Sequence, residues 1–317
     1  MMTSMNKTLP KPASTAPATR VDGSAQSILN ALTVDVEDYY QVTGFENCVY
    51  RAEWDQLESR VVDSTQVILE LLASRGVHGT FFILGWVAER YPALVRAIRA
   101  AGHEIGCHGF WHRVVYQQAP EEFRHDLRRA RDVLQDVIGL PVTAFRAPCF
   151  SITRRSLWAL DILIEEGFTC DSSVFPTVHD RYGLPDAPLQ PHRIRRPAGS
   201  LWEFPLPVYR RLGHPWPIGG GGYLRLYPYA LTRYGLRSIN TQGRPFAVYV
   251  HPWELDPDQP QFSPGPVQAF RHYVNLGRTK SRLEKLLQDF RFGTMQEALT
   301  ELETQEELKT WDLGIAA

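Results

Sequence analysis

The 317-residue chain is poor in cysteine: Cys48, Cys107, Cys149 and Cys170 are far apart and form no CxxC pair. That spacing argues against a disulfide framework or a structural zinc site and favours buried thiols. No charge of one sign dominates, with 34 Lys plus Arg against 35 Asp plus Glu. Without a basic stripe or an aromatic–basic repeat, nucleic acid is a poor candidate partner. No apolar run is long enough for a transmembrane segment. The first 27 residues are rich in Ser, Thr, Ala, Pro and Lys and lack the apolar block of a secretory signal or an anchor. They read as a disordered leader. These absences favour a cytoplasmic location and leave a periplasmic one open. No internal repeat of fixed period occurs.

What is present is an alternation of short apolar runs with amphipathic segments. Ser27–Asp35 reads as a buried strand, Ser64–Ser74 as a helix closed by Gly76, and Gly79–Leu84 as a second strand. The alternation continues through a helix at Glu89–Ala101, a strand at His103–His108 and a long helix at Pro120–Ile138. A strand at Thr143–Arg146, a helix at Arg154–Glu166 and a strand at Phe168–Asp171 follow. Such alternation predicts an α/β fold with a parallel sheet or barrel. From about 177 to 245 the pattern loosens into a stretch rich in Pro, Gly and aromatics, including Gly219–Gly222, Trp202, Tyr209, Trp216, Tyr223 and Tyr227. Loops or hairpins over one face of the domain fit this composition. Pro245–His251 is a last clear strand, and the segment from Phe270 onward is helical and charged.

Several of these strands end in a side chain that can do chemistry: Asp35, His108, Arg146, Asp171 and His251. In parallel α/β architectures the carboxyl ends of the strands converge, and active sites form there. His108-Gly-Phe-Trp-His112 sets two imidazoles four residues apart, so a helical turn after His108 would put both on one cation. Thr33-Val-Asp-Val-Glu-Asp38 offers three carboxylates, one to complete a two-His, one-carboxylate site and one to act as a base. Crowded like charges themselves favour a cation or an arginine nearby. Arg146-Ala-Pro-Cys-Phe150 supplies that arginine, and the Cys149 backbone N–H is placed to help hold an oxyanion. The Cys149 thiol has no partnering base and is not read as a nucleophile. His251 can protonate a leaving amine, with Asp171 as its acidic partner. His78, His103 and His125 read as structural or surface residues.

In this order the motifs resemble those of the NodB-homology polysaccharide deacetylases, carbohydrate esterase family 4, over roughly residues 28–255. The motifs are Thr33–Asp38, His108–His112, Arg146–Phe150, Asp171-Ser-Ser and Val250-His251. The tail, Phe270–Thr279 through Phe290–Met295, is similar to the extension of deacetylases from exosortase/PEP-CTERM exopolysaccharide loci. The resemblance implies a distorted (β/α)7 barrel with one divalent cation, zinc by preference. It also implies Asp35 as general base, His108 and His112 as ligands, Arg146 as the group orienting the base, and His251 as general acid tuned by Asp171. For the third ligand Asp38 is favoured because an aspartate usually fills that place. Glu37 is the alternative, since strand alternation puts it on the face of Asp35.

The expected domain layout is a leader at 1–27, a deacetylase domain at 28–255 with an insertion at about 177–245, and a helical extension at 256–317. The implied reaction is removal of N-acetyl groups from hexosamine units of a polysaccharide in exopolysaccharide biosynthesis, with the assembly machinery as a prospective partner. Two other readings use the same residues: an allantoinase-like hydrolase of a small cyclic amide, and a non-catalytic polysaccharide-binding component.

Overall fold

The computed structural model describes residues 28–211, 213–304 and 309–313, so the leader expected at 1–27 lies outside the described residues. The strands are β1 (Leu29–Val36), β2 (Thr80–Ile83), β3 (Glu104–Cys107), β4 (Ala144–Phe145), β5 (Cys170–Asp171) and β6 (His192–Arg196). They are followed by β7 (Gly199–Glu203), β8 (Val208–Arg211), β9 (His214–Pro217), β10 (Ala247–Val250), β11 (Arg291–Gly293) and β12 (Thr310–Asp312). The sheet runs β10-β1-β2-β3-β4-β5-β7 with every neighbouring pair parallel. Closure comes from the irregular segment 218–220. Ile218 N–H donates to Pro207 O at 3.3 Å, Tyr249 N–H donates to Gly219 O at 2.9 Å, and Gly220 forms a parallel bridge to Tyr249. The result is a distorted (β/α)7 barrel.

Alternation along β1 explains how the barrel is filled. Leu32, Val34 and Val36 point outward into the main core with helix residues such as Ile68, Leu72, Val95, Ile98, Leu127 and Leu134. Ala31 points inward, where it meets Phe82, Ala144, Cys170, Trp202, Phe204 and Ala247. Met295, Ala298 and Leu299, from the helix Met295–Glu303, join the same inner cluster, and Met295 N–H donates to Thr80 Oγ1 at 2.8 Å. This end of the barrel is therefore plugged by apolar packing. The opposite end, where the strands finish, is left for polar groups.

The helix expected over 89–101 is two helices, Gly85–Arg90 and Pro92–Ala100. Pro92 cannot donate its backbone nitrogen and starts a new helix instead. The loose stretch 177–245 holds the hairpins β6–β7 and β8–β9, and it also contributes barrel strand β7 and the closing segment 218–220. Beyond residue 255 the described residues hold the helices Pro266–Tyr273, Thr279–Asp289 and Met295–Glu303, and they add β11 beside β1 and β12 beside β6. The four cysteines are free. Among the described residues no helix is long and apolar enough to cross a membrane.

His103 carries a prediction for acid stability. Its Nδ1 accepts from Gly79 N–H at 3.1 Å, and burial, reinforced by His78, lowers its pKa to about 4. The folded ring is neutral where the unfolded one, near 6.5, has begun to bind a proton. Its contribution is complete above pH 6.5 and is lost as the pH falls toward 4, by about 3 kcal/mol in total. Urea unfolding at pH 7.5, 5.5 and 4.5 should show a shallower decline for His103→Asn, which keeps an acceptor for Gly79 but does not titrate. An unchanged slope would place the acid-sensitive group elsewhere.

Candidate active site

The polar end of the barrel opens into a cavity of about 440 Å³ whose lining includes Asp35, Glu37, His108, His112, Cys149 and His251. Asp35 lies on the inward face of β1, and Glu37 follows two positions on. Glu37, His108 and His112 are buried, and each offers a ligand atom within 4.8 Å of the other two. His112 Nε2 stands 2.8 Å from Glu37 Oε2, an oxygen with no well-aligned hydrogen-bond donor. The second Glu37 oxygen accepts from Trp253 Nε1 at 3.0 Å. His108 Nδ1 is engaged by Arg146 O at 2.8 Å, so Nε2 is the atom it could offer a cation.

Electrostatics suit a cation here. Burial opposes ionisation of Glu37, but His112 first, then His251 and His108, outweigh it and hold the carboxyl well below its ordinary range. Burial lowers His108 to about 4 against the opposing pull of Asp35, and the neutral imidazole is the form that binds metal. Two nitrogens and one carboxylate oxygen, with room left on the cavity side, are the donor set of an open catalytic zinc site. The residues present therefore fit a divalent cation.

Asp38, favoured above as the carboxylate ligand, is turned away from this cluster. Its carboxylate accepts from Ser59 Oγ at 2.6 Å, Arg60 N–H at 3.0 Å, Val61 N–H at 3.2 Å and Tyr39 N–H at 3.0 Å. Ser59, Arg60 and Val61 lead into the helix Val61–Ala73, so Asp38 satisfies orphan N–H groups and meets the positive end of the helix dipole. Burial raises its pKa to about 6, with Ser59 and the backbone donors pulling the other way. Glu37, the alternative, is the acid beside the histidines.

The turn after His108 is not helical. Gly109 has φ 73° and His112 φ 51°, and the loop between them is pinned by Asp126, which accepts from Phe110 N–H at 2.7 Å and Trp111 N–H at 3.3 Å. The two imidazoles still meet, with ring centres 5.4 Å apart. Asp126 belongs to the helix Pro120–Ile138 and holds one ligand loop in place.

Arg146 is fully buried and sits over the Phe82 ring at 4.4 Å. Nη1 donates to Asp35 Oδ1 at 2.7 Å and to Thr33 Oγ1 at 2.7 Å, while Nε and Nη2 donate to Ser172 O and Oγ at 3.1 and 2.8 Å. The guanidinium thus fixes one Asp35 oxygen and leaves the other, Oδ2, 3.9 Å from His251 Nε2. Cys149 and Phe150 follow with φ of 54° and 52°, two consecutive left-handed residues that only a well-determined surround maintains. Cys149 lines the cavity. Its thiol lies 2.9 Å from Thr43 Oγ1, and burial pushes its pKa up to about 12, which keeps it protonated.

His251 does not pair with Asp171. Its Nδ1 is 3.0 Å from Glu254 Oε2, and the same oxygen accepts its backbone N–H at 2.9 Å. Burial would depress the ring, but the Glu254 bond and charge, then Glu37 and Asp35, raise it to about 9. Asp171 sits instead opposite Glu203 in the β5–β7 register and accepts from Ser173 Oγ. Burial and then the Asp171 charge push Glu203 well above the carboxylate range, as two buried acids side by side disfavour a second charge. Their negative charge lies close enough to Arg146 to be felt there.

Glu254, Trp253, Asp126 and Glu203 are the residues here that motif reading missed. For Glu254 a local signal exists, because His251-Pro-Trp-Glu254 is a capping box in which the fourth residue reaches back to the first N–H. Of the aromatic stretch 202–227, Tyr223 reaches the cavity, and its Oη is 2.6 Å from Tyr182 Oη on the same wall.

Residues 52–163 match the polysaccharide deacetylase family model, and residues 172–300 match a domain of unknown function, DUF3473. Over 101 residues the chain is 31% identical to a peptidoglycan-N-acetylglucosamine deacetylase of Bacillus cereus, covering 32% of this chain and 37% of the relative. It is 34% identical over 85 residues to a chitooligosaccharide deacetylase of Azorhizobium caulinodans, covering 26% and 40%. The chain therefore spans about two fifths of the length of these curated relatives. A solved structure from Mycobacterium smegmatis, provisionally designated a polysaccharide deacetylase, shares the fold with a TM-score of 0.58 at 20% identity, over 95% of this chain and 98% of that one. His108, His112 and Arg146 fall in the first matched segment and His251 in the second. Asp35 and Glu37 lie on or just after β1, ahead of both.

Proposed function

We propose that this relative of the polysaccharide deacetylases is a metal-dependent hydrolase that removes N-acetyl groups from hexosamine units of a polysaccharide. The observation that carries the reading is the meeting of Glu37, His108 and His112 with the Asp35–Arg146 pair and the His251–Glu254 pair around one cavity. A divalent cation, zinc by the donor set, supplies when bound the Lewis acidity that polarises an acetyl carbonyl and acidifies water. Asp35 takes the proton of the attacking water while Arg146 keeps its carboxylate oriented. The Cys149 N–H donates to the oxygen that gains charge. His251 gives the Nε2 proton to the departing amine as the C–N bond breaks. The two curated relatives act, by name, on polymers or oligomers of N-acetylated hexosamine, and the aromatic wall at Tyr182 and Tyr223 suits a sugar face. The exopolysaccharide setting and its assembly machinery rest on the tail resemblance.

The test is release of acetate from N-acetylglucosamine oligomers and from acetylated exopolysaccharide by zinc-loaded protein. Chelation should reduce acetate release at least about 100-fold, and added zinc should restore it. Full activity in the metal-free protein would refute the reading.

A further inference from the structure

The segment matched by a domain of unknown function, residues 172–300, builds a second half of this site. Its glycine run, Gly219–Gly222, lets a short helix press against β10. A Cβ on Gly220, at φ 149°, would stand 1.9 Å from Tyr249 O, and one on Gly221, at φ 53°, would stand 2.7 Å from the Tyr249 ring. Only glycine permits that approach. The helix Gly221–Leu226 then carries Arg225 into the interior, where it is 2% exposed.

The Arg225 guanidinium is spent on two tasks. Nε donates to Glu254 Oε1 at 2.6 Å. Nη1 donates to His272 O and Val274 O at 2.7 and 2.9 Å, and Nη2 donates to Arg271 O at 3.0 Å. Asn275 Nδ2 returns a bond to Arg225 O at 2.9 Å. The other Glu254 oxygen holds both His251 N–H groups, main chain and Nδ1. Rings stack over the same unit: His251 on Trp253 with centres 5.0 Å apart, and Trp253 on His272 at 4.1 Å. Trp253 Nε1 in turn reaches Glu37.

We propose that the 172–300 segment serves as the acid half of the active site, with Arg225 and Glu254 as positioning residues that lock the tautomer and direction of His251. With Nδ1 tied to Glu254, only Nε2 faces the reacting centre, 3.9 Å from Asp35 Oδ2 and 3.7 Å from Glu37 Oε1. The inference rests on the deacetylase reading, in which the amine nitrogen takes the Nε2 proton as its bond to the acetyl carbon breaks. The ring is left neutral, with Nδ1–H still on Glu254. The backbone carbonyls of 271–274 make Arg225 rigid, so a fixed arm of the extension is coupled to proton delivery.

The test compares zinc-loaded full-length protein with Glu254→Gln, Glu254→Asp and Arg225→Gln on two substrates. One is an N-acetylglucosamine oligomer, whose amine must be protonated. The other is 4-nitrophenyl acetate, whose phenolate leaves without a proton. On the amide, kcat should fall about 100-fold for Glu254→Gln and Arg225→Gln, with KM within about threefold and zinc content unchanged, and Glu254→Asp should recover about tenfold. On the ester the loss should be at least about tenfold smaller. Equal losses on both substrates would overturn the proposal. Imidazole NMR of 15N-labelled protein provides a readout independent of turnover: a slowly exchanging His251 Nδ1 proton in the wild type that disappears in Glu254→Gln, the isosteric variant if Arg225→Gln fails to fold. Absence of that proton in the wild type also overturns the proposal. Its presence in a protein that releases no acetate from any acetylated amine would sink the deacetylase reading and leave the clamp standing.

Discussion

Glu37→Gln should release the cation and lower acetate release at least about 100-fold, whereas Asp38→Ala should retain cation and turnover and lose stability instead. The two acids are adjacent in sequence and differ in what their carboxylates meet. Glu37 faces His108 and His112, and its amide replacement removes the anionic donor while leaving Trp253 an acceptor. Asp38 faces Ser59 and the N–H groups that open the helix Val61–Ala73. Its removal strips a cap and leaves buried donors unpaired, a loss of about 2 kcal/mol. Metal analysis after dialysis, acetate assays and urea unfolding of both variants give the answer. A cation lost from Asp38→Ala but kept by Glu37→Gln would reverse the assignment.

How far the residues could be read without coordinates depends on the range of the interaction that decides each one. Period-two alternation put Asp35 and Glu37 on one face of a strand, and that is a local rule. The fate of Asp38 was settled by Ser59–Val61, some twenty residues later, and no spacing within Thr33–Asp38 shows it. The helix Pro120–Ile138 was legible end to end, because Pro at its first position and Gly139 after its last are local signals. One residue of that helix, Asp126, shapes the loop from Gly109 to His112, a tertiary contact invisible in a His-x-x-x-His pattern. For His251 the resemblance implies Asp171 as the acidic partner, while the actual neighbour, Glu254, stands three residues downstream. Asp171 is occupied because β5 and β7 lie side by side and bring Glu203 opposite it. The stretch 177–245 was hardest to read, since β7 is preceded by hairpin strand β6 and barrel closure at 218–220 rests on isolated backbone bonds rather than on a regular apolar strand.

Asp35→Asn should lower deacetylation about 10³-fold with zinc content unchanged, because the amide preserves shape and an acceptor but cannot take a proton from water. It should also destabilise the fold. Arg146 is fully buried, and its ionic partner on β1 is Asp35 at 2.7 Å. Removing one member of such a pair leaves a buried charge uncompensated, at about 3 kcal/mol or more. The two effects separate in the double variant Asp35→Asn/Arg146→Met. With the guanidinium replaced by an apolar side chain over Phe82, part of the stability should return, since buried pairs exchange for apolar groups at little net cost. Activity should not return, because the proposed base is still missing. Urea midpoints and acetate release, measured on the same preparations, test both halves. Recovery of activity in the double variant would show that the single variant failed through misfolding and that proton abstraction lies with another group.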